Sequence, residues 1–136
     1  MYRALIDPGA IATWRAPSGM TAVVHELDAS EGGSFRISLA YDLATGRGKT
    51  TSTTDTYHGH FAKLVPNGQV VEVLEFETSN PEFSGPITVR TTLTEANDGT
   101  DVLVEHEAIP RGVSTVDNET GTRMALDNLA ALVERA

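Results

Sequence analysis

The sequence contains no cysteine. That removes a disulfide scaffold, a thiol nucleophile and cysteine-ligated zinc together. Cations are scarce. Ten lysines and arginines stand against nineteen aspartates and glutamates, giving a formal net charge of −9 and a pI of about 4.7. A surface that acidic repels nucleic-acid phosphates and anionic lipid headgroups, so neither nucleic acid nor a membrane is expected as partner. No segment approaches the roughly 18 consecutive apolar residues of a membrane span, and the opening residues lack the basic-then-apolar pattern of a leader. The simplest expectation is a soluble, cytoplasmic protein. Phosphate-cradling glycine loops are missing too: Gly46, Gly48 and Lys49 sit in a polar stretch without the required spacing. With no nucleophile elbow either, nucleotide-driven and covalent catalysis have no support. No cofactor and no metal are implied.

What remains is a chain of 136 residues that is 40% apolar, enough to pack one core in one domain spanning 1–136. Asp7 before Pro8 is a helix start, because Asp accepts at the N-cap and Pro fits the first turn. Ile11 and Trp14 then share a face, and residues 1–6 read as the tail of an earlier helix. Alternating runs follow. MTAVVHEL at 20–27 leads to a turn at Glu31-Gly32-Gly33. SFRISLAY at 34–41 puts Phe35, Ile37, Leu39 and Tyr41 on one face. A polar loop is expected over 44–55. TYHGHFAKLV and GQVVEVLEFE are joined by Pro66-Asn67-Gly68, and ITVRTTLTEA and GTDVLVEHEA by Asn97-Asp98-Gly99. Both are hairpin signals. Six strands linked largely by hairpins predict an antiparallel sheet.

From Ser114 the period changes. Ser114 and Asp117 resemble a capping box. Asp117 and Glu119 lie near the positive end of the helix dipole and Arg135 near the negative end. Leu126, Leu129, Leu132 and Val133 form a stripe at helical spacing. A helix from about Ser114 to the end would be roughly 34 Å long, enough to cross a small sheet. A curved sheet must cover one face, and this helix can cover it. The expected class is therefore α+β, in two layers, with a cavity where curvature holds the helix off the sheet.

The residues also carry a resemblance. YRALIDPGAIATW with Pro17 close behind, Asp28 four residues before Gly32-Gly33-Ser34-Phe35-Arg36, and His58-Gly59 are three of its pieces. GTDVLVEHEAIP at 99–110 and the run from Gly121 to Leu132 complete it. Together they resemble the SRPBCC or START-like superfamily, and within it the family named after the activator of the heat-shock-protein-90 ATPase. The resemblance implies a helix-grip fold: a curved antiparallel sheet wrapped around the long C-terminal helix, with two short N-terminal helices. It covers nearly the whole chain. Thr122 stands where the family usually has tryptophan, and Ser30 where it often has arginine. Family members normally begin with a strand before the first helix, and this chain has no such strand. Either more chain lies upstream or the sheet has an open edge, which would favour a homodimer.

The resemblance implies three kinds of activity, and the residues must choose among them. One is binding of a small apolar or amphipathic molecule. Another is cyclase- or dehydratase-type proton transfer. The third is a co-chaperone-like protein-binding role. His58 and His60 share a strand face and could begin a zinc site, although two polar residues on an exposed face is the plainer reading. His106 alternates with Val102 and Val104, so it faces any cavity the valines face. There it could serve as a general base, or simply be a hydrogen-bonded histidine at a strand end. The run VVEVLEF is ambiguous on alternation alone. The resemblance places Val70, Glu72, Leu74 and Phe76 inward. Glu72 would then be a carboxylate among apolar neighbours, suited to proton transfer or to gripping a ligand; otherwise it faces water or pairs with Arg36 or Arg90. Glu72 and His106 are the catalytic candidates. Trp14, Phe35, Glu72, Leu74, Phe76, His106 and Met124 are the candidate ligand contacts, although aromatic and methionine side chains are more often simple core. Gly121, in mid-helix, points to a close approach by a strand or a ligand.

Overall fold

The computed structural model describes residues 1–16, 19–41, 54–97 and 99–134. Pro17, positions 44–53 of the expected polar loop, Asp98 and Arg135 lie outside the described residues. Two short helices open the chain, α1 (Tyr2–Ile6) and α2 (Pro8–Trp14). The Asp7 carboxylate accepts from the Ala10 N–H at 2.8 Å and caps α2, with Pro8 in its first turn. The Trp14 indole N–H donates to the Ala4 carbonyl at 2.8 Å and ties the two helices together.

Six strands follow: β1 (Met20–Leu27), β2 (Ser34–Tyr41), β3 (Thr54–Val65), β4 (Gln69–Phe76), β5 (Ile87–Ala96) and β6 (Gly99–Glu107). Each pairs antiparallel with the next, in the order β1-β2-β3-β4-β5-β6. β3 begins at Thr54, so the first two of its residues fall in the stretch expected to be loop. Two bulges, at Val24/Glu26 and Phe61/Lys63, add twist and help curl the sheet into a half-barrel. The β3–β4 hairpin turns on Asn67, in the left-handed region at φ 60°, followed by Gly68. Gly33 is obligatory where β1 leads into β2. A Cβ there would sit 2.2 Å from the Asp28 carbonyl oxygen.

The long helix α3 (Thr115–Glu134) closes the concave side. The Ser114 hydroxyl accepts from the Asp117 N–H at 3.2 Å, as the capping signal predicts. Leu129 and Ala125 are buried, and Leu126, Leu132 and Val133 pack against the same core. The helix is anchored at one end: the Asn128 amide donates to the carbonyl of Ala16 at 2.9 Å, just past the end of α2. α+β with a helix-grip layout is what the structure has. No described helix is long and apolar enough to cross a membrane.

Candidate functional site

Alternation along the strands determines what faces α3. On β3 the inward residues are Asp55, Tyr57, Gly59 and Phe61. On β4 they are Val70, Glu72, Leu74 and Phe76. One end of this concave surface is filled. Phe35, Ile37 and Phe61 are almost wholly buried there, with the Phe35 and Phe61 rings 5.2 Å apart. Towards the start of α3 the filling stops and a cavity of about 820 Å³ remains between sheet and helix.

Its walls are largely apolar, with Trp14, Leu74, Phe76, Ile87, Val89 and Met124 among them. Six of the seven sequence-proposed contacts, Trp14, Glu72, Leu74, Phe76, His106 and, from α3, Met124, lie on this wall. Phe35 does not. Its ring is covered by Phe61 on one side and by the edge of Tyr57, 6.3 Å away, on the other, so it is core rather than lining. Gly121 and Thr122 also line the cavity, from α3. Threonine fills far less space than the tryptophan expected at 122, which leaves that side open. Ser30 lies away from this wall and binds the Asp28 carboxylate at 2.8 Å.

The polar floor of the cavity is the part the sequence reading missed. Arg15 follows the last residue of α2 and turns its guanidinium inward. Its Nη1 donates to the Tyr57 hydroxyl at 3.2 Å and lies 3.5 Å from Glu72 Oε2, while Nη2 lies 3.3 Å from Glu72 Oε1. Glu72 therefore pairs neither with Arg36, which binds Glu77, nor with Arg90, which binds Glu107. The pair is withdrawn from solvent, with the Arg15 side chain 17% exposed and that of Glu72 5% exposed. Burial works against the Arg15 charge, but the Tyr57 and Glu72 oxygens outweigh it and hold its pKa above the ordinary value. Burial likewise pushes the Tyr57 phenol up, with Arg15 opposing. Arg15 Nε is buried without a partner among the described residues. The guanidinium also lies 4.7 Å from the Trp14 ring centroid, a cation–π contact. Asp55 adds a second carboxylate to the wall at 4% exposure.

His106 faces the same space. Glu72 is registered opposite Val89, and Val89 opposite His106, so the two titratable residues share one row across three strands. Two strand spacings put their backbones about 10 Å apart, with Val89 between. They are neighbours across the cavity rather than partners. The Asn118 side-chain nitrogen is 2.9 Å from His106 Nδ1. An amide nitrogen only donates, so Nδ1 accepts, and the neutral ring carries its proton on Nε2. Burial pushes the His106 pKa down; Glu72 opposes that shift and Arg15 adds to it. His58 and His60 lie on the opposite face of the sheet, where His58 sits between Glu75 at 3.2 Å and Glu77 at 3.1 Å.

Comparison with known proteins agrees with this fold. The model of the family described as activator of Hsp90 ATPase homolog 1-like protein matches residues 1–134. A crystal structure of a protein from Chromobacterium violaceum is 29% identical over 98% of this chain and 86% of that one, with a TM-score of 0.87. Proteins from Rhodobacter sphaeroides and Mycobacterium smegmatis, at 16% and 17% identity, share the fold, with TM-scores of 0.76 and 0.71. They are covered over 83% and 80% of their lengths, by 98% and 96% of this chain. No curated protein matches the sequence.

Proposed function

The chain belongs to the activator of Hsp90 ATPase homolog 1-like family, and from that premise we propose that it binds a small apolar or amphipathic molecule between its sheet and its last helix. The observation that carries this reading is the cavity itself: about 820 Å³, apolar on its walls, with the Arg15–Tyr57–Glu72 cluster at its floor. Ligand sites have this composition, a greasy enclosure with a few placed polar groups that fix orientation. Trp14 is the one tryptophan of the chain and lies on the wall, so its fluorescence reports occupancy. Titration with a panel of lipids and aromatic compounds should shift that emission. Thr122→Trp, which fills the open side, should abolish the response to ligand while the circular dichroism stays native. A panel with no binder would count decisively against the reading.

The shared row of Glu72 and His106 favours a second reading, proton transfer on a bound substrate. It ranks below simple binding because Glu72 is tied to Arg15 and His106 presents a bound proton rather than a lone pair. Turnover unaffected by Glu72→Gln and His106→Ala would dispose of it. A homodimer is a further part of the proposal. β6 is the last strand of the sheet among the described residues, so its outer backbone groups are free to pair with another copy. Sedimentation showing only monomer would remove it.

A further inference from the structure

We propose that the cavity selects uncharged ligands that carry a carbonyl-type acceptor, which the His106 Nε2–H binds, and that it discriminates against carboxylates and amines alike. The proposal rests on the binding reading above and narrows its ligand class. Three observations converge. The first is the tautomer. Asn118 occupies Nδ1, so the proton sits on Nε2, and Nε2 has no protein partner among the described residues. A donor that stands beside Val89 with no partner of its own wants an acceptor.

The second observation is the disposition of charge. Asp55, Glu72 and Asp117 line the cavity against one guanidinium, Arg15. Both Arg15 terminal nitrogens are already engaged, by Tyr57 and Glu72. A ligand carboxylate would therefore meet an excess of negative charge, and the guanidinium on the wall is already paired with Glu72, leaving only its buried Nε–H unpartnered among the described residues. The third concerns cations. Each Glu72 oxygen already has an Arg15 nitrogen within 3.5 Å, and Asp55 is itself engaged by a partner. The remaining lining carboxylate, Asp117, is solvent-exposed at the start of α3. An ammonium group placed at His106 would have to be stripped of water and would meet only a proton donor there. A ketone, ester or amide oxygen meets the Nε2–H with no ionic desolvation.

The experiment uses probes of one chain length: decan-2-one, decanoate and decylammonium, titrated at pH 7.5 while Trp14 fluorescence is read. The ketone should bind roughly tenfold or more tightly than either ion, a difference a single unmatched buried charge readily produces. His106→Phe should weaken the ketone by roughly three- to tenfold, the size of one neutral hydrogen bond. ¹⁵N NMR of the histidine rings in the intact protein should show His106 protonated on Nε2 and bare on Nδ1, a measurement that needs no variant to fold. Decanoate or decylammonium binding as tightly as the ketone would overturn the selectivity while leaving the cavity a binding site. A ring protonated on Nδ1 would overturn the role of His106. Failure of all three probes, together with the wider panel, would instead remove the binding reading itself.

Discussion

Breaking the Arg15–Glu72 pair tests whether the polar floor is a buried electrostatic unit. Glu72→Gln removes the carboxylate charge and leaves the guanidinium with the Tyr57 hydroxyl as its principal partner. Orphaning one member of a buried pair costs about 3–5 kcal/mol. The contacts here are long, 3.3 and 3.5 Å, and the Arg15 side chain keeps 17% of its exposure, so the low end applies. About 3 kcal/mol is expected, which for a chain of this size lowers Tm by about 10 °C. Replacing both charges, with Arg15→Met and Glu72→Leu together, removes the orphan and fills the space with apolar atoms. That double variant should lie within about 1 kcal/mol of the native protein. The matching singles, Arg15→Met and Glu72→Leu, form with the double a cycle whose coupling should be about 2 kcal/mol or more. Urea unfolding at pH 7.5 measures it, provided the m-values agree across the set. A Glu72→Gln loss below about 0.5 kcal/mol, or a double variant equal to the sum of its singles, would refute the buried-pair argument.

The remaining predictions concern pH, capping and packing. The unfolded chain takes up a proton on His106 near its ordinary value of 6.5, whereas burial holds the folded ring below it. Stability should therefore be full above about 6.5 and fall as pH drops through that value towards the folded pKa, and His106→Gln should flatten that fall; an unchanged slope between pH 7 and 5 would contradict it. Glu77 is shifted the other way: the Arg36 hydrogen bond holds its carboxyl below the usual range, with His58 helping. Its contribution should be present above the ordinary glutamate value and vanish as pH falls through the lowered folded one. The Tm gap between native protein and Glu77→Gln should therefore close between pH 6 and pH 3, and a gap constant with pH would count against it. Asn128→Ala deletes the amide that binds the Ala16 carbonyl, so about 1 kcal/mol should be lost in denaturant unfolding. Leu129→Ala empties a site that is 1% exposed and should cost about 2–5 kcal/mol by the same measurement.

The sheet was legible because its signals are local. Strand β2 over Ser34–Tyr41 and strand β5 over Ile87–Ala96 follow from period-two alternation, and the turn at Asn67-Gly68 from the φ > 0 its backbone requires. Helix α3 followed from its leucine spacing and its Ser114 cap. The cavity wall was legible in part for the same reason: once one residue of a strand faces inward, the residues two away follow. On β4 the resemblance chose the inward face and alternation then carried Glu72, Leu74 and Phe76, while alternation with Val102 and Val104 brought in His106. The same rule would have brought in Tyr57 within the strand expected from Thr56, and Asp55 had that strand been started at Thr54. Arg15 carried no such signal. It follows a seven-residue helix, and its partners lie 42 and 57 residues away in the chain. Nothing in its neighbours' spacing says that the cation after Trp14 turns inward. Asn118 escaped similarly, because a polar residue in the first turn of a helix reads as solvent-facing. Phe35 was misplaced because alternation gives a face but not a depth, and only the contacts of the Phe61 and Tyr57 rings show that it is covered.

The same sheet is finished in two ways, and the contrast bears on what the open end is for. Where Phe35, Ile37 and Phe61 fill the curve, the side chains are almost wholly buried. Directly beside them the strands place Tyr57, Glu72 and Asp55 inward, and the end of α2 delivers Arg15 among them. Replacing such a pair with apolar residues of similar volume commonly leaves a protein as stable or more so, so stability alone does not account for its presence. Nor does it account for a buried Nε with no partner among the described residues. Thr122 points the same way: a large side chain there would cover the floor and reduce the void, and the chain has a small one. Charges that stability does not require and space that packing would have closed occur at one place in the fold. Their joint presence is what a site for an occupant demands and what a closed core does not.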